Sequence, residues 1–134
     1  MNSRIVIVAE EKGLARSVAI GPHRLTADEP EPAGTDTGPT PVELLLAALG
    51  SCASMAVRAS AQRHAWPLER VDVAVRFDAE GQVVKNIGLV GELTSAQRDQ
   101  LLAVAGRCPV HRLLAKEVTI ITVPTLLAEP EPLP

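Results

Sequence analysis

A single long helix constrains this chain more than any other segment. Thr40, Pro41 and Glu43 fit the N-cap, the first and the third helical positions, which is the capping-box pattern that begins a helix. Residues 41–64 are therefore predicted to form a helix about 36 Å long. In a chain of 134 residues, a helix of that length is expected to need cover from a second subunit. Helical spacing predicts that its buried face consists of Leu45, Leu49, Cys52, Ala56 and Ala59.

Alternating apolar residues predict strands on both sides of this helix. The predicted strands are residues 5–9, 14–20 and 23–27 before it, and 69–78, 83–93 and 118–123 after it. Thr94 and Gln97 repeat the capping box and predict a helix over 95–105, and Cys108-Pro109 begin a short helical turn. Residues 28–41 are predicted to be a proline-rich loop, and 124–134 an extended tail. This order predicts an α+β fold with antiparallel sheets in a single domain over 1–134.

The composition narrows the classes of function. Hydrophobic residues make up 46% of the chain but aromatic residues only 1%, so the core must be aliphatic. The net charge of −3 gives no electrostatic footprint for nucleic acid or a membrane surface. No apolar run is expected to span a bilayer and no signal peptide is recognised, which predicts a cytoplasmic protein. The acidic residues of the 28–41 loop, Asp28, Glu29, Glu31 and Asp36, are expected to be solvated.

The chain has two cysteines, and the first, Cys52, lies on the apolar face of the long helix. A free cysteine in such a place usually acts as a small hydrophobic residue. Burial also raises the pKa of a thiol, which makes it unreactive. A nucleophilic role for Cys52 therefore requires a cation or a hydrogen-bond donor from elsewhere in the fold.

The second cysteine, Cys108, has the more reactive surroundings of the two in sequence. Arg107, the expected helix N-terminus and His111 would each favour a thiolate. The alternative is that Cys108 is only a weak cap before Pro109. Two thiols, one buried and one poised, suggest redox chemistry, and a disulfide would require Cα atoms within about 7 Å. Cys52, Cys108 and His111 lack the paired spacing of a four-ligand zinc site, so no metal is expected.

Two phrases carry a resemblance to a known family. Residues 38–52, GPTPVELLLAALGSC, resemble the central-helix signature of the OsmC/Ohr family, and residues 107–112, RCPVHR, resemble its second-cysteine motif. The predicted order of strands and helices around them is also similar. The resemblance covers nearly the whole chain and implies an OsmC-like fold.

The resemblance also implies an activity and an assembly. It implies an intertwined homodimer with two active sites at the subunit interface, reducing hydroperoxides, preferably organic ones. Cys52 would be the peroxidatic thiol and Cys108 the resolving thiol, joined in a disulfide that an external dithiol reduces. It implies no cofactor.

One position departs from the family pattern. Val42 stands where the characterised peroxidases have a glutamate that holds a catalytic arginine, and Glu43 is one step away around the helix. Arg24 is the nearest candidate for that arginine, followed by Arg16. The departure keeps other hypotheses open. They are a non-catalytic protein that binds a small apolar or electrophilic ligand at the dimer interface, a redox sensor, and a thiol-based transferase or hydrolase.

Overall fold

The computed structural model describes residues 4–124, which form two compact units. The first unit, which includes residues up to 44, contains an antiparallel meander of three strands in the order β1-β2-β3. Val8 pairs with Val18, and Val18 pairs with Leu25. All three predicted strands are present, and β2 begins two residues later than predicted because residues 11–15 form a turn. The strands are β1 Val6–Glu10, β2 Arg16–Ile20 and β3 His23–Ala27.

The loop that follows β3 is irregular, as predicted, but one of its acidic residues is buried. Asp28 is only 2% exposed. Its carboxylate accepts hydrogen bonds from the backbone N–H of Glu29, Thr35 and Thr37 and from both threonine hydroxyls, at 2.7–3.3 Å. The expectation that Asp28 is solvated was therefore wrong, because the loop supplies the donors that water would otherwise provide. These hydrogen bonds, chiefly that from the Thr37 hydroxyl, hold the pKa of Asp28 well below its usual value.

The second unit, residues 45–120, contains most of the long helix, a two-stranded hairpin and two further helices. In the hairpin Val73 pairs with Ile87 and Val75 pairs with Lys85. Thr40 and Glu43 form the predicted capping box at the start of α1, and Thr94 and Gln97 form the one at the start of α2. The elements are α1 Pro41–His64, β4 Leu68–Phe77, β5 Val83–Gly91, α2 Ser95–Ala105 and α3 Pro109–Leu114.

The core of the second unit lies between α1, the hairpin, α2 and the start of α3. Its buried residues are Leu49, Ala53, Val57, Ala61, Leu68, Leu101, Ala105 and Cys108. Apolar side chains of the hairpin's inner face pack against this cluster, namely Val71, Val75, Ile87 and Leu89. The sequence thus predicted the hairpin and α2 correctly, and the fold class is α+β with antiparallel sheets, as expected.

The buried face of α1 differs from the predicted one. Leu49 is buried as expected, but Leu45 is 44% exposed, and the buried positions continue through Ala53 and Val57. Gly50 explains part of the difference, because a Cβ there would lie 3.0 Å from Cγ2 of Val75, so the hairpin approaches the helix closely at this side. A helix with small or apolar residues around most of its circumference offers more than one apolar stripe, and spacing alone does not choose between them.

By length and composition α1 could also cross a membrane, which differs from the sequence expectation. However, Leu49, Ala53 and Val57 on α1 pack in the core of the second unit, as in the central helix of a globular protein.

The predicted strand over residues 118–123 is absent from the described chain, where this segment has no regular secondary structure. Its apolar side chains are largely exposed, with Ile120 at 86% and Ile121 at 79%. The strand prediction was therefore wrong for a single chain, since a strand forms only against an edge that pairs with it. Of the predicted tail over 124–134, residues 125–134 lie outside the described residues. The single domain over 1–134 stays a prediction.

Candidate active site

The two cysteines lie in one cluster of the second unit. α1 carries Cys52 one turn beyond the buried Leu49, and Cys108 is the N-cap residue of α3. Cys108 belongs to the buried core, and Cys52 packs against that core. Both are free thiols. The fold thus brings together the two residues that the sequence singled out.

The relative burial of the two cysteines is the reverse of the one expected from the sequence. Cys108 is 2% exposed, whereas Cys52 is only partly buried. Cys108 occupies the N-cap position before Pro109, as the alternative interpretation expected, but its side chain makes no capping hydrogen bond. Arg107, expected to favour a Cys108 thiolate, is exposed. Cys108 is buried because only two residues separate it from Ala105, the last core residue of α2.

The groups around Cys52 shift the pKa of its thiol in opposite directions. Burial raises the pKa of the Cys52 thiol, and the neighbouring Cys108 thiol raises it further. The backbone amide of Val110 and the positive charge of Lys85 act in the opposite direction and favour the thiolate. Burial prevails, so the pKa of Cys52 is raised overall, as the sequence analysis expected for a thiol on an apolar helix face.

Lys85 is the residue of this site that the sequence analysis missed. It lies on β5 at an inward position shared with Ile87 and Leu89, which pack against the core. Its ammonium group donates hydrogen bonds to the carbonyl oxygen of Ala105 and to Nδ1 of His111, the latter at 2.8 Å. A lysine among the otherwise apolar residues at the inward positions of β5 was the signal that could have identified it.

The surroundings of His111 favour its neutral form. Burial lowers its pKa and the adjacent Lys85 charge lowers it further. Because Nδ1 faces an ammonium group, it must accept the hydrogen bond, which places the ring proton on Nε2. The cation that favours a Cys52 thiolate is therefore Lys85, and His111 is a neutral donor and acceptor beside it.

An apolar cavity of about 230 Å³ adjoins this group. Lys85 and His111 supply its polar groups, and Leu49 lies in its wall one turn before Cys52. The lining residues are Leu49, Val83, Lys85, His111, Leu114 and Ala115. Among residues 4–124 no group of three or more histidine, cysteine or acidic side chains is arranged to hold a metal ion.

The arginine candidates belong to the first unit. Arg16 forms an ion pair with Glu10 at 3.3 Å and donates a hydrogen bond to the carbonyl oxygen of Ala15 at 2.7 Å. Arg24 lies exposed on β3, and Val42 is exposed in the first turn of α1. The assignment of a catalytic arginine stays a prediction.

The likeness to solved structures extends over most of the chain. An OsmC like protein from Mycoplasma pneumoniae has a TM-score of 0.71 and 15% sequence identity, covering 85% of this chain and 88% of that chain. An organic hydroperoxide resistance protein OsmC from Legionella pneumophila has a TM-score of 0.58 and 20% identity, covering 85% and 90%. The organic hydroperoxide resistance protein OhrB of Bacillus subtilis has a TM-score of 0.50 and 19% identity, covering 81% and 89%. At these identities the likeness shows the fold.

No curated protein matches the sequence. The family model described as OsmC-like protein matches residues 34–123, a span that contains α1, the hairpin, α2, α3 and both cysteines. This match covers more than half of the chain and agrees with the fold. The chain therefore belongs to the OsmC-like protein family.

Proposed function

We propose that this protein is a thiol-dependent reductase of organic hydroperoxides, with Cys52 as the peroxidatic and Cys108 as the resolving thiol. The observation that carries the proposal is the juxtaposition of the chain's two cysteines in one cluster of the second unit. The pair is chemically asymmetric, because Cys52 is partly accessible and Cys108 is buried beside it. A peroxide would therefore meet Cys52 first.

The proposed reaction has two steps. The Cys52 thiolate attacks the terminal oxygen of ROOH, the O–O bond breaks, and the products are a sulfenic acid on Cys52 and, after protonation of the leaving oxygen, an alcohol. The Cys108 sulfur then attacks the sulfenic sulfur, forming a disulfide and releasing water. An external dithiol restores both thiols by exchange. The chemistry needs no prosthetic group.

The raised pKa of Cys52 limits the rate at neutral pH, because only the thiolate reacts. The amide of Val110 and the charge of Lys85 both favour that thiolate, and they supply the help that an apolar helix face alone would lack. Similar proteins from Legionella pneumophila and Bacillus subtilis are named organic hydroperoxide resistance proteins, which agrees with this chemistry.

A homodimer in the cytoplasm is part of the proposal. Several large apolar side chains are more than half exposed in the described chain, which a second copy would cover. They include Ile5, Val6, Val8, Met55, Ile120 and Ile121. Size-exclusion chromatography with light scattering should give twice the mass of 14.2 kDa, and a monomer at micromolar concentration would contradict the dimer.

The test is single-turnover mixing of the reduced protein with an organic hydroperoxide and, separately, with hydrogen peroxide. Free thiols and intact mass are followed for the wild type, Cys52→Ser and Cys108→Ser. Rapid loss of both thiols with a mass decrease of about 2 Da in the wild type supports the proposal. Cys108→Ser should instead gain about 16 Da as the sulfenic acid, and Cys52→Ser should not react. Oxidation that is equally fast in Cys52→Ser would refute the proposal.

The second candidate is a protein that binds a small apolar or electrophilic ligand, or senses oxidants, without turnover. Its support is the apolar cavity, whose described lining contains neither cysteine, together with the raised pKa of Cys52. Slow oxidation in the same experiment, combined with saturable binding of an apolar fluorescent probe that Leu49→Trp abolishes, would favour this function.

A further inference from the structure

We propose that Lys85 and His111 form a proton relay that delivers a proton to the oxygen leaving the hydroperoxide, an inference that rests on the proposed function. Attack of a thiolate on an alkyl hydroperoxide expels an alkoxide, which is a poor leaving group unless it is protonated as the O–O bond breaks. A proton donor beside Cys52 would therefore accelerate this step.

The geometry identifies the pair. Lys85 Nζ donates to Nδ1 of His111 at 2.8 Å, while the carbonyl oxygen of Ala105 accepts a second hydrogen bond from the same ammonium. The second bond fixes the lysine, so one of its N–H groups stays aimed at the imidazole. His111 thus carries its own proton on Nε2, the nitrogen that does not face Lys85.

Two observations connect the pair to the reacting thiol, the first being that the charge of Lys85 acts on Cys52. His111 follows Val110, whose backbone amide acts on Cys52, and it lines the apolar cavity together with Lys85 and Leu49. The charged side chain that contacts the imidazole is Lys85 from β5, and its charge also acts on Cys52 from α1.

The Cys52 thiolate bonds to the terminal oxygen of ROOH, and the O–O electron pair leaves on the RO oxygen. That oxygen takes the proton from Nε2 of His111 while Nδ1 takes one from Lys85, giving ROH, neutral His111 in its other tautomer and a neutral Lys85 amine. Lys85 then regains a proton from solvent. A neutral imidazole alone could not serve, because it would be left as an anion, and this is why the lysine is needed.

Two peroxides of similar size separate proton delivery from thiolate formation. tert-Butyl hydroperoxide expels an alkoxide and needs the proton, whereas peroxyacetic acid expels acetate and does not. For His111→Gln, the rate of Cys52 oxidation by tert-butyl hydroperoxide should fall by about 10²-fold or more, while the rate with peroxyacetic acid changes by less than about threefold. The peroxyacetic acid reaction also reports that the Cys52 thiol of the variant is still reactive, and circular dichroism checks that the variant is folded.

Lys85→Arg is the second variant. Arginine keeps the positive charge but cannot release a proton in a protein, so it should show the same selective loss with tert-butyl hydroperoxide. Arg112→Gln, an exposed change on the same short helix, is the matched control and should leave both rates unchanged.

Equal slowing of both peroxides in His111→Gln, or no slowing of either, would overturn the relay while leaving the proposed function in place. Failure of the wild type to oxidise Cys52 with either peroxide would instead refute the proposed function and the relay together.

Discussion

Gly91, at the end of β5, offers the sharpest test of how the hairpin that carries Lys85 is built. Its φ of +148° is a conformation that residues with a side chain rarely adopt. A Cβ at this position would overlap the carbonyl oxygen of Pro67 and lie 3.2 Å from the backbone nitrogen of Glu69. These are backbone atoms at the bulge where β4 begins, beside the buried Leu68, so they have little freedom to move.

The expected magnitude follows from two contributions. Forcing alanine into such a conformation costs about 1–3 kcal/mol of unfolding free energy. Displacing the β4 backbone beside the core adds more, which brings Gly91→Ala to about 3–5 kcal/mol. Gly81→Ala is the matched control, because Gly81 also has a positive φ of +80° but a Cβ there would meet nothing within 4 Å. It should cost only about 1–2 kcal/mol.

Urea denaturation followed by circular dichroism measures both variants. The unfolding free energy should be lower for Gly91→Ala than for Gly81→Ala by about 2 kcal/mol. The two variants should have similar m-values, so the difference appears as a lower urea midpoint for Gly91→Ala. The reasoning fails if Gly91→Ala is no less stable than Gly81→Ala.

Three further predictions concern the core, the loop and the thiols. Leu101→Ala, at a fully buried position, should lower the unfolding free energy by about 2–5 kcal/mol, and Leu102→Ala, next to it but 45% exposed, by less than about 1 kcal/mol in the same urea assay. Asp28→Asn should destabilise the protein at neutral pH, as measured by thermal unfolding. Because the pKa of Asp28 is lowered on folding, the difference in stability from wild type should persist above about pH 5 and shrink as the pH falls below it. A difference that does not depend on pH would contradict this prediction. Iodoacetamide should modify Cys52 before the buried Cys108, which peptide mass spectrometry measures. Because the pKa of Cys52 is raised, its alkylation rate should still increase at pH values where the rate of a free cysteine standard has levelled off. A plateau for Cys52 at the pH of the standard or below would contradict the prediction.

Features that depend on neighbours in sequence were predictable, and those that depend on distant contacts were not. The capping boxes at Thr40 and Thr94 were predicted because each involves only residues three apart. The buried stripe of α1 was misplaced because the close approach of the hairpin at Gly50 is a tertiary fact.

The candidate site shows the same division. Both cysteines were identified from their motifs, but their relative burial was reversed, since it depends on how α2 leads into α3. Lys85 was not predicted as a site residue because its partners, the carbonyl of Ala105 and the ring of His111, are 20 and 26 residues away in sequence. The strand over 118–123 was predicted from its own residues alone, which indicate a capacity to pair and do not supply the paired edge.

The burial of Cys108 sets the direction of the reductive half of the proposed cycle. In a Cys52–Cys108 disulfide an incoming dithiol can approach the sulfur of Cys52, whereas that of Cys108 is enclosed by the core. Thiol–disulfide exchange requires access to the attacked sulfur. The reductant would therefore form its mixed disulfide on Cys52, and Cys108 would leave as the thiol and return to its place in the core. Cys52 would thus react with both external partners, the oxidant and the reductant, and Cys108 would react only with Cys52.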